Sequence, residues 1–155
     1  MATAYDSFSA AEQLEELAAC IYRLLARQFA ADPAAQGLFS RLEAEEQQHA
    51  LRIRLLRSQY ATAPRTTNTI VLDLDLLEGA RREGETLYRL LTAPGREPTL
   101  AEARRLAVQL EERFAAAHAD TMARNADPAL KGFFEALARQ DREHAALLRD
   151  AKAGG

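Results

Sequence analysis

Apolar residues recur every three to four positions along most of the chain, a spacing that predicts amphipathic α-helices. The pattern predicts five helices, over about residues 9–31, 33–61, 71–91, 99–125 and 128–152. No segment has the strict alternation of a convincing strand, although residues 70–72 (Ile-Val-Leu) could form a short extended piece. The sequence therefore predicts an all-α protein.

Start signals precede four of these helices. Ser-Ala-Ala-Glu at 9–12 and Thr-Leu-Ala-Glu at 99–102 have the capping-box pattern, in which the first side chain serves a free backbone N–H and the Glu reaches back. Asp-Pro at 32–33 and at 127–128 places a capping Asp before a Pro at the first helical position.

The two halves of the chain form an internal repeat. In each half Asp-Pro is followed by Gly-x-Phe-x-x-Leu and then by an acid-x-x-His pair, at an offset of 95 residues, while the preceding helices align better at 96. A repeated antiparallel helix pair joined by a long connection predicts a ferritin-like four-helix bundle. We expect one domain over 1–155, with 62–97 as a crossover that contains the extra helix.

The acid-x-x-His pairs fall on the apolar faces of their helices. At about 100° per residue, Glu46 lies about 40° and His49 about 20° from Leu42, and Asp141 and His144 take equivalent positions on the last helix. Burying such carboxylates without partners costs several kcal/mol, so we expect divalent cations to compensate them. Buried ion pairs with nearby Arg are the alternative.

The partner helices each offer two adjacent carboxylates. Glu15 lies about 100° from Leu14, on the flank of the apolar face, whereas Glu16 lies about 200° away and faces solvent. The same reasoning favours Glu111 over Glu112. An unshifted offset of 95 would pair Glu16 with Glu111, so Glu16 stays an alternative.

The sequence therefore predicts a dinuclear metal site. Oxygen-rich ligands with one imidazole per ion suit iron or manganese better than structural zinc. Glu46 and Asp141 are expected to bridge or lie nearest both ions, with Glu15 and Glu111 as terminal ligands. The predicted ligands are Glu15, Glu46, His49, Glu111, Asp141 and His144.

Composition limits the other classes of function. The net charge of −3 and the lack of a basic tract argue against a nucleic-acid partner or an anionic membrane surface. No apolar run reaches the length of a membrane span, and the N-terminus lacks the features of a signal peptide. The single cysteine, Cys20, fits a reducing, cytoplasmic setting and excludes a CxxC-based rubredoxin module within this chain.

These residues resemble the rubrerythrin and ferritin-like di-iron family, which has one Glu on each odd helix and Glu-x-x-His on each even helix. The resemblance covers about residues 13–148 and is closest to rubrerythrin-like proteins without a rubredoxin domain. It implies two iron ions, with manganese as an alternative, and reaction with peroxide or O₂ in oxidative-stress defence or iron handling. Electrons would come from an external donor or from ferrous iron itself.

Tyr22, seven residues after Glu15, matches a Tyr of that family and is the candidate catalytic residue. It would bond a ligand carboxylate or carry an electron; a core Tyr with a satisfied hydroxyl is the alternative. His118 stands at the equivalent position of the second half and is open to three interpretations: a pH-sensitive group beside the ligands, an additional ligand, or a structural residue.

The chain departs from the family at Asp141, where Glu is usual, and at Phe114, where peroxide-reducing rubrerythrins carry a further carboxylate. The shorter Asp141 raises the alternative of a non-catalytic metal-binding or interaction bundle with an incomplete dinuclear site. A purely structural helical adaptor is a third hypothesis. Charged runs such as 43–48 and 81–85 indicate mostly solvated faces or i,i+4 pairs. The candidates for a homodimer surface are Leu55, Leu91 and Leu100.

Overall fold

The structure, a computed structural model, describes residues 4–61 and 73–150. These residues form five helices and no strand, which confirms the all-α prediction for the described part of the chain. The extended alternative at 70–72 and the start of the crossover at 62–72 lie outside the described residues. The helices are α1 (Ala4–Gln28), α2 (Pro33–Ala61), α3 (Leu74–Thr92), α4 (Leu100–Arg124) and α5 (Pro128–Asp150).

The predicted start of the first helix is wrong. Ser9 lies inside α1, which begins at Ala4 and ends at Gln28 rather than near Ala31. The extra turn places Phe8 in the core, fully buried, with its ring 6.3 Å from that of Phe134. Burying a Phe side chain contributes about 1.5–3 kcal/mol, which outweighs a local capping pattern of about 1 kcal/mol.

The other three predicted start signals are confirmed, whereas the third helix, predicted from about residue 71, begins at Leu74 after its N-cap Asp73. Asp32 accepts hydrogen bonds from the backbone N–H groups of Ala34 and Ala35, both at 3.1 Å, at the start of α2. Asp127 accepts one at 2.9 Å from Ala129 at the start of α5. Thr99 forms the predicted capping box before α4.

The helices pack as two pairs, α1 against α2 and α4 against α5, with α3 lying against α1 and α4. Short connections at 29–32 and 125–127 make each pair antiparallel. Gly84 of α3 is buried and lets this helix approach α1 closely, since a Cβ there would lie 2.7 Å from Cδ2 of Leu17. The described residues thus form a helical bundle with the extra helix on its side.

The core consists of two apolar clusters, one around Leu14, Phe39, Leu42 and Phe114 and another around Phe134. Along α2 the acid-x-x-His pair lies between a residue of the first cluster and one of the second, and the same holds for α5. A polar layer therefore separates the two apolar regions.

One of the three leucines considered for a dimer surface is part of this core. Leu91 is buried in the first cluster, where Leu100 also packs, so only Leu55 remains strongly exposed and the prediction for Leu91 is wrong. Within the described ranges, no helix combines the length and apolar character needed to cross a bilayer.

Candidate metal site

All six predicted ligands are buried in the interior of the bundle. Glu15 is fully buried and its neighbour Glu16 is exposed, where it accepts a hydrogen bond from Arg54 at 2.9 Å, so the helix phase separated them correctly. Glu111 is likewise buried and Glu112 exposed. All four helices of the repeat, α1, α2, α4 and α5, therefore contribute side chains to one buried cluster.

The ligand atoms of these residues form two overlapping groups, in each of which all atoms lie within 4.8 Å of one another. Glu46 and Asp141 belong to both groups. We call the first group site A and the second site B. Site A contains Glu15, Glu46, His49 and Asp141, and site B contains Glu46, Glu111, Asp141 and His144.

The two imidazoles contact different oxygens of the shared Glu46. Nδ1 of His49 lies 3.0 Å from Oε2 of Glu46 and 3.4 Å from Oε2 of Glu15. Nδ1 of His144 lies 2.8 Å from Oε1 of Glu46 and 3.5 Å from Oε1 of Glu111. The rings stack with centroids 5.6 Å apart. Each carboxylate oxygen of Glu46 is thus directed to a different site.

Several oxygens in this cluster are buried without a well-formed hydrogen bond. They include both oxygens of Glu15, Oε2 of Glu111 and Oδ1 of Asp141, although imidazole nitrogens lie within ion-pair distance of Glu15. Buried polar atoms normally have partners, and buried carboxylates need cations or donors. This donor set therefore fits a pair of divalent metal ions.

The protonation equilibria of the cluster show an excess of negative charge. Burial, together with the neighbouring Glu111 and Glu15 carboxylates, raises the pKa of Glu46 well above its usual range. Burial lowers the pKa of His49, but contacts with Glu15 and Glu46 outweigh it and raise the pKa to about 10. The same balance with Glu111 and Glu46 raises the pKa of His144 to about 11. The buried cluster therefore favours binding of protons or other cations.

Arginine does not supply that charge. The Arg–carboxylate ion pairs found in the described ranges involve other acids, such as Glu12 with Arg54 at 2.6 Å and with Arg57 at 2.8 Å. The six acids and histidines pair instead with one another, with His118 and, in the case of His144, with Glu45. The alternative of buried ion pairs with Arg therefore lacks support in this part of the chain.

His118 belongs to the cluster, although sequence reasoning did not include it among the ligands. It is fully buried, with Nδ1 2.6 Å from Oδ2 of Asp141 and Nε2 3.1 Å from Oε1 of Glu15. It lies outside both four-residue groups. The signal in the sequence was its position seven residues after Glu111, which matches Tyr22 after Glu15.

Glu45 forms an i,i+4 pair with Arg41, as expected for the run at 43–48, but its contact with a predicted ligand was not predicted. Its Oε2 accepts a hydrogen bond from Nε2 of His144 at 2.7 Å, and its other oxygen pairs with Arg41 at 2.8 Å. About a third of its side chain is exposed. The run is therefore only partly solvated, and no pattern in the sequence marked this contact.

Tyr22 contacts one of the predicted ligands, in line with the expected bond to a ligand carboxylate. Its hydroxyl is fully buried and donates a short hydrogen bond to Oε1 of Glu111 across the bundle. Burial, followed by the Glu111 and Glu46 carboxylates, raises the pKa of Tyr22 well above its usual range, so the phenol keeps its proton. Tyr22 therefore positions a predicted ligand.

We expect Tyr22→Phe to lower the free energy of unfolding of the metal-free protein by about 1.5–3 kcal/mol, the usual worth of a hydrogen bond to a charged group. The ring packing against Phe39, with centroids 6.3 Å apart, is preserved in this variant. Urea denaturation monitored by circular dichroism measures the difference. A loss below about 0.5 kcal/mol would show that this hydrogen bond does not stabilise the buried Glu111.

Comparison of the chain with models of protein families, with curated proteins and with solved structures finds no match. The chemistry of the site is therefore inferred from its own residues.

Proposed function

We propose that this protein is a ferritin-like, rubrerythrin-type di-iron oxidoreductase that reacts with peroxide or O₂. The observation that carries the proposal is the pair of buried four-residue groups that share Glu46 and Asp141. Two sites built from one imidazole and three carboxylates each, with two carboxylates in common, have the composition of a dinuclear centre.

The donor atoms favour iron, with manganese as the alternative. Carboxylates outnumber imidazoles, and no thiolate takes part, since Cys20 is exposed. Hard oxygen donors with one nitrogen per ion suit ferrous iron or manganese, whereas structural zinc prefers thiolate and imidazole.

Bound iron would supply the electrons that reduce peroxide or O₂. The residues of this chain would hold the ions and limit access of water. Glu15 and Glu111 would be terminal ligands, Glu46 and Asp141 would be shared, and Tyr22 would hold Glu111 through its hydroxyl. Electrons would be restored by a separate donor protein, or ferrous iron would itself be the substrate.

Anaerobic titration with ferrous iron, followed by peroxide, tests the proposal. We expect two ferrous ions per chain, loss of peroxide, and ferric iron formed in proportion. Glu15→Gln is expected to lower the stoichiometry and rate, while Glu16→Gln, one residue away and exposed, is the matched control and should leave both unchanged. Protein that binds no iron and consumes no peroxide would refute the proposal.

A second candidate is a non-catalytic metal-binding bundle with one competent site. It is favoured by the contact between His118 and Oδ2 of Asp141, which leaves only Oδ1 of that side chain free for two ions. One iron per chain, with no loss of peroxide, would support this candidate over the first.

A further inference from the structure

The two halves of the site differ in what lies behind their histidines. In site B, Nε2 of His144 bonds to Glu45, and this leaves Nδ1 as the nitrogen that faces Glu46 and Glu111. At the offset of 95 residues, the counterpart of Glu45 in the second half is Gln140, which is neutral. The second half of the chain therefore has no carboxylate at the position equivalent to Glu45.

Glu45 is well placed to fix the orientation of the His144 ring. The 2.7 Å contact between Oε2 and Nε2 is short, and Arg41 holds the other oxygen of Glu45 at 2.8 Å. A carboxylate that accepts from one ring nitrogen fixes the tautomer and makes the opposite nitrogen a stronger metal donor. Such partners typically change metal affinity by about 10- to 100-fold.

The shared residues Glu46 and Asp141 do not compensate for this difference between the two histidines. Asp141 is held by His118 through Oδ2, and Nδ1 of His49 in site A hydrogen-bonds to Oε2 of Glu46 at 3.0 Å. A cation that enters site A must displace this hydrogen bond. In site B, Nδ1 of His144 lies 2.8 Å from Oε1 of Glu46, so a cation must displace a similar contact there, but the His144 ring is in addition held through Nε2 by Glu45.

We propose that Glu45 is a positioning residue that makes site B the tighter of two unequal cation sites, so that the Glu111–His144 position fills first. This inference rests on the proposed dinuclear site. It adds an order of filling and a residue outside the ligand set that controls it.

Anaerobic titration of the full chain with cobalt(II), followed by visible absorption and calorimetry, tests this order. We expect two binding steps of unequal affinity. Glu45→Gln should weaken the tighter step by roughly tenfold, because the amide keeps a hydrogen-bond acceptor but removes the charge, and Glu45→Leu should weaken it further. The weaker step should change by less than about threefold in both variants.

Glu43→Gln is the matched control, because Glu43 lies on the same helix and pairs with Arg23 at 2.7 Å, away from the histidines. His144→Ala should remove the tighter step and His49→Ala the weaker one, with circular dichroism checking the helices. The cobalt(II) absorption of the first equivalent should change with Glu45→Gln and not with Glu43→Gln, which a merely structural role for Glu45 would not produce.

Two cobalt ions bound with affinities that Glu45→Gln leaves unchanged, or loss of the weaker step with His144→Ala, would overturn the inference while leaving the metal site intact. Wild-type protein that binds no cobalt(II) and no iron would overturn both the proposed function and this inference.

Discussion

Glu46→Gln is expected to remove binding of both iron ions and to reduce peroxide consumption by at least about 100-fold, since chemistry that depends on the bound ions is lost with them. Glu46 is the ligand whose two oxygens face different histidines, and it belongs to both four-residue groups. Asp141 also belongs to both groups, but His118 contacts its Oδ2, so this side chain cannot offer a free oxygen to each ion in place of Glu46. Iron content per chain and the initial rate of peroxide loss measure the effect.

The same substitution is expected to leave the metal-free protein as stable as wild type or more stable. Burial and the nearby Glu111 and Glu15 carboxylates raise the pKa of Glu46, so its charge opposes folding in the absence of metal. Because this shift already includes the contacts with His49 and His144, the ionised form of Glu46 is disfavoured overall, and the neutral amide of the same shape should cost little stability. Glu43→Gln, on the surface of the same helix, is the control for iron binding. Full iron content in Glu46→Gln would contradict the shared-ligand role.

If the proposed function holds, the charge of this cluster lowers the stability of the metal-free protein, a cost that is common at functional sites. The adaptor hypothesis predicts that Glu46→Gln changes neither metal content nor peroxide consumption, and the two readouts together therefore separate these hypotheses.

Helix phase was sufficient to predict the buried members of each candidate pair. Glu15 and Glu46 lie on helix faces that also carry buried residues such as Leu14 and Leu42. The helical period of 3.6 residues therefore predicts that both are buried, whichever helices pack against these faces. The repeat supplied the pairing of helices. These features depend on local geometry, which the sequence encodes directly.

The contacts of His118 and Glu45 could not be predicted in this way. Phase gives the direction of a side chain but not which side chain of another helix meets it. Glu45 reaches His144 only because α2 and α5 lie at a particular distance and register. The prediction of where α1 starts was wrong for a related reason. The burial of Phe8 against Phe134 depends on packing between helices that are distant in the chain.

The metal-free protein is expected to lose at least about 3 kcal/mol of unfolding free energy between pH 6.5 and 10, since one pKa unit corresponds to about 1.4 kcal/mol. Burial opposes protonation of His49 and His144, but contacts with the carboxylates raise the pKa of His49 to about 10 and that of His144 to about 11, from 6.5. A pKa raised on folding stabilises fully below the unfolded pKa, and this stabilisation is lost as the pH rises through the folded pKa. The raised pKa of Glu46 acts in the same direction.

Urea denaturation of the metal-free protein at pH 6.5, 8 and 10 measures this loss. With iron or manganese bound, the histidines would serve as neutral ligands, so the dependence on pH should be much smaller and the protein more stable at each pH. Glu46→Gln is the matched variant, because it removes a carboxylate that both histidines contact, and its metal-free form should lose less stability over the same range. Equal stability of the metal-free wild type at pH 6.5 and 10 would show that the two imidazoles are not held as cations by these carboxylates.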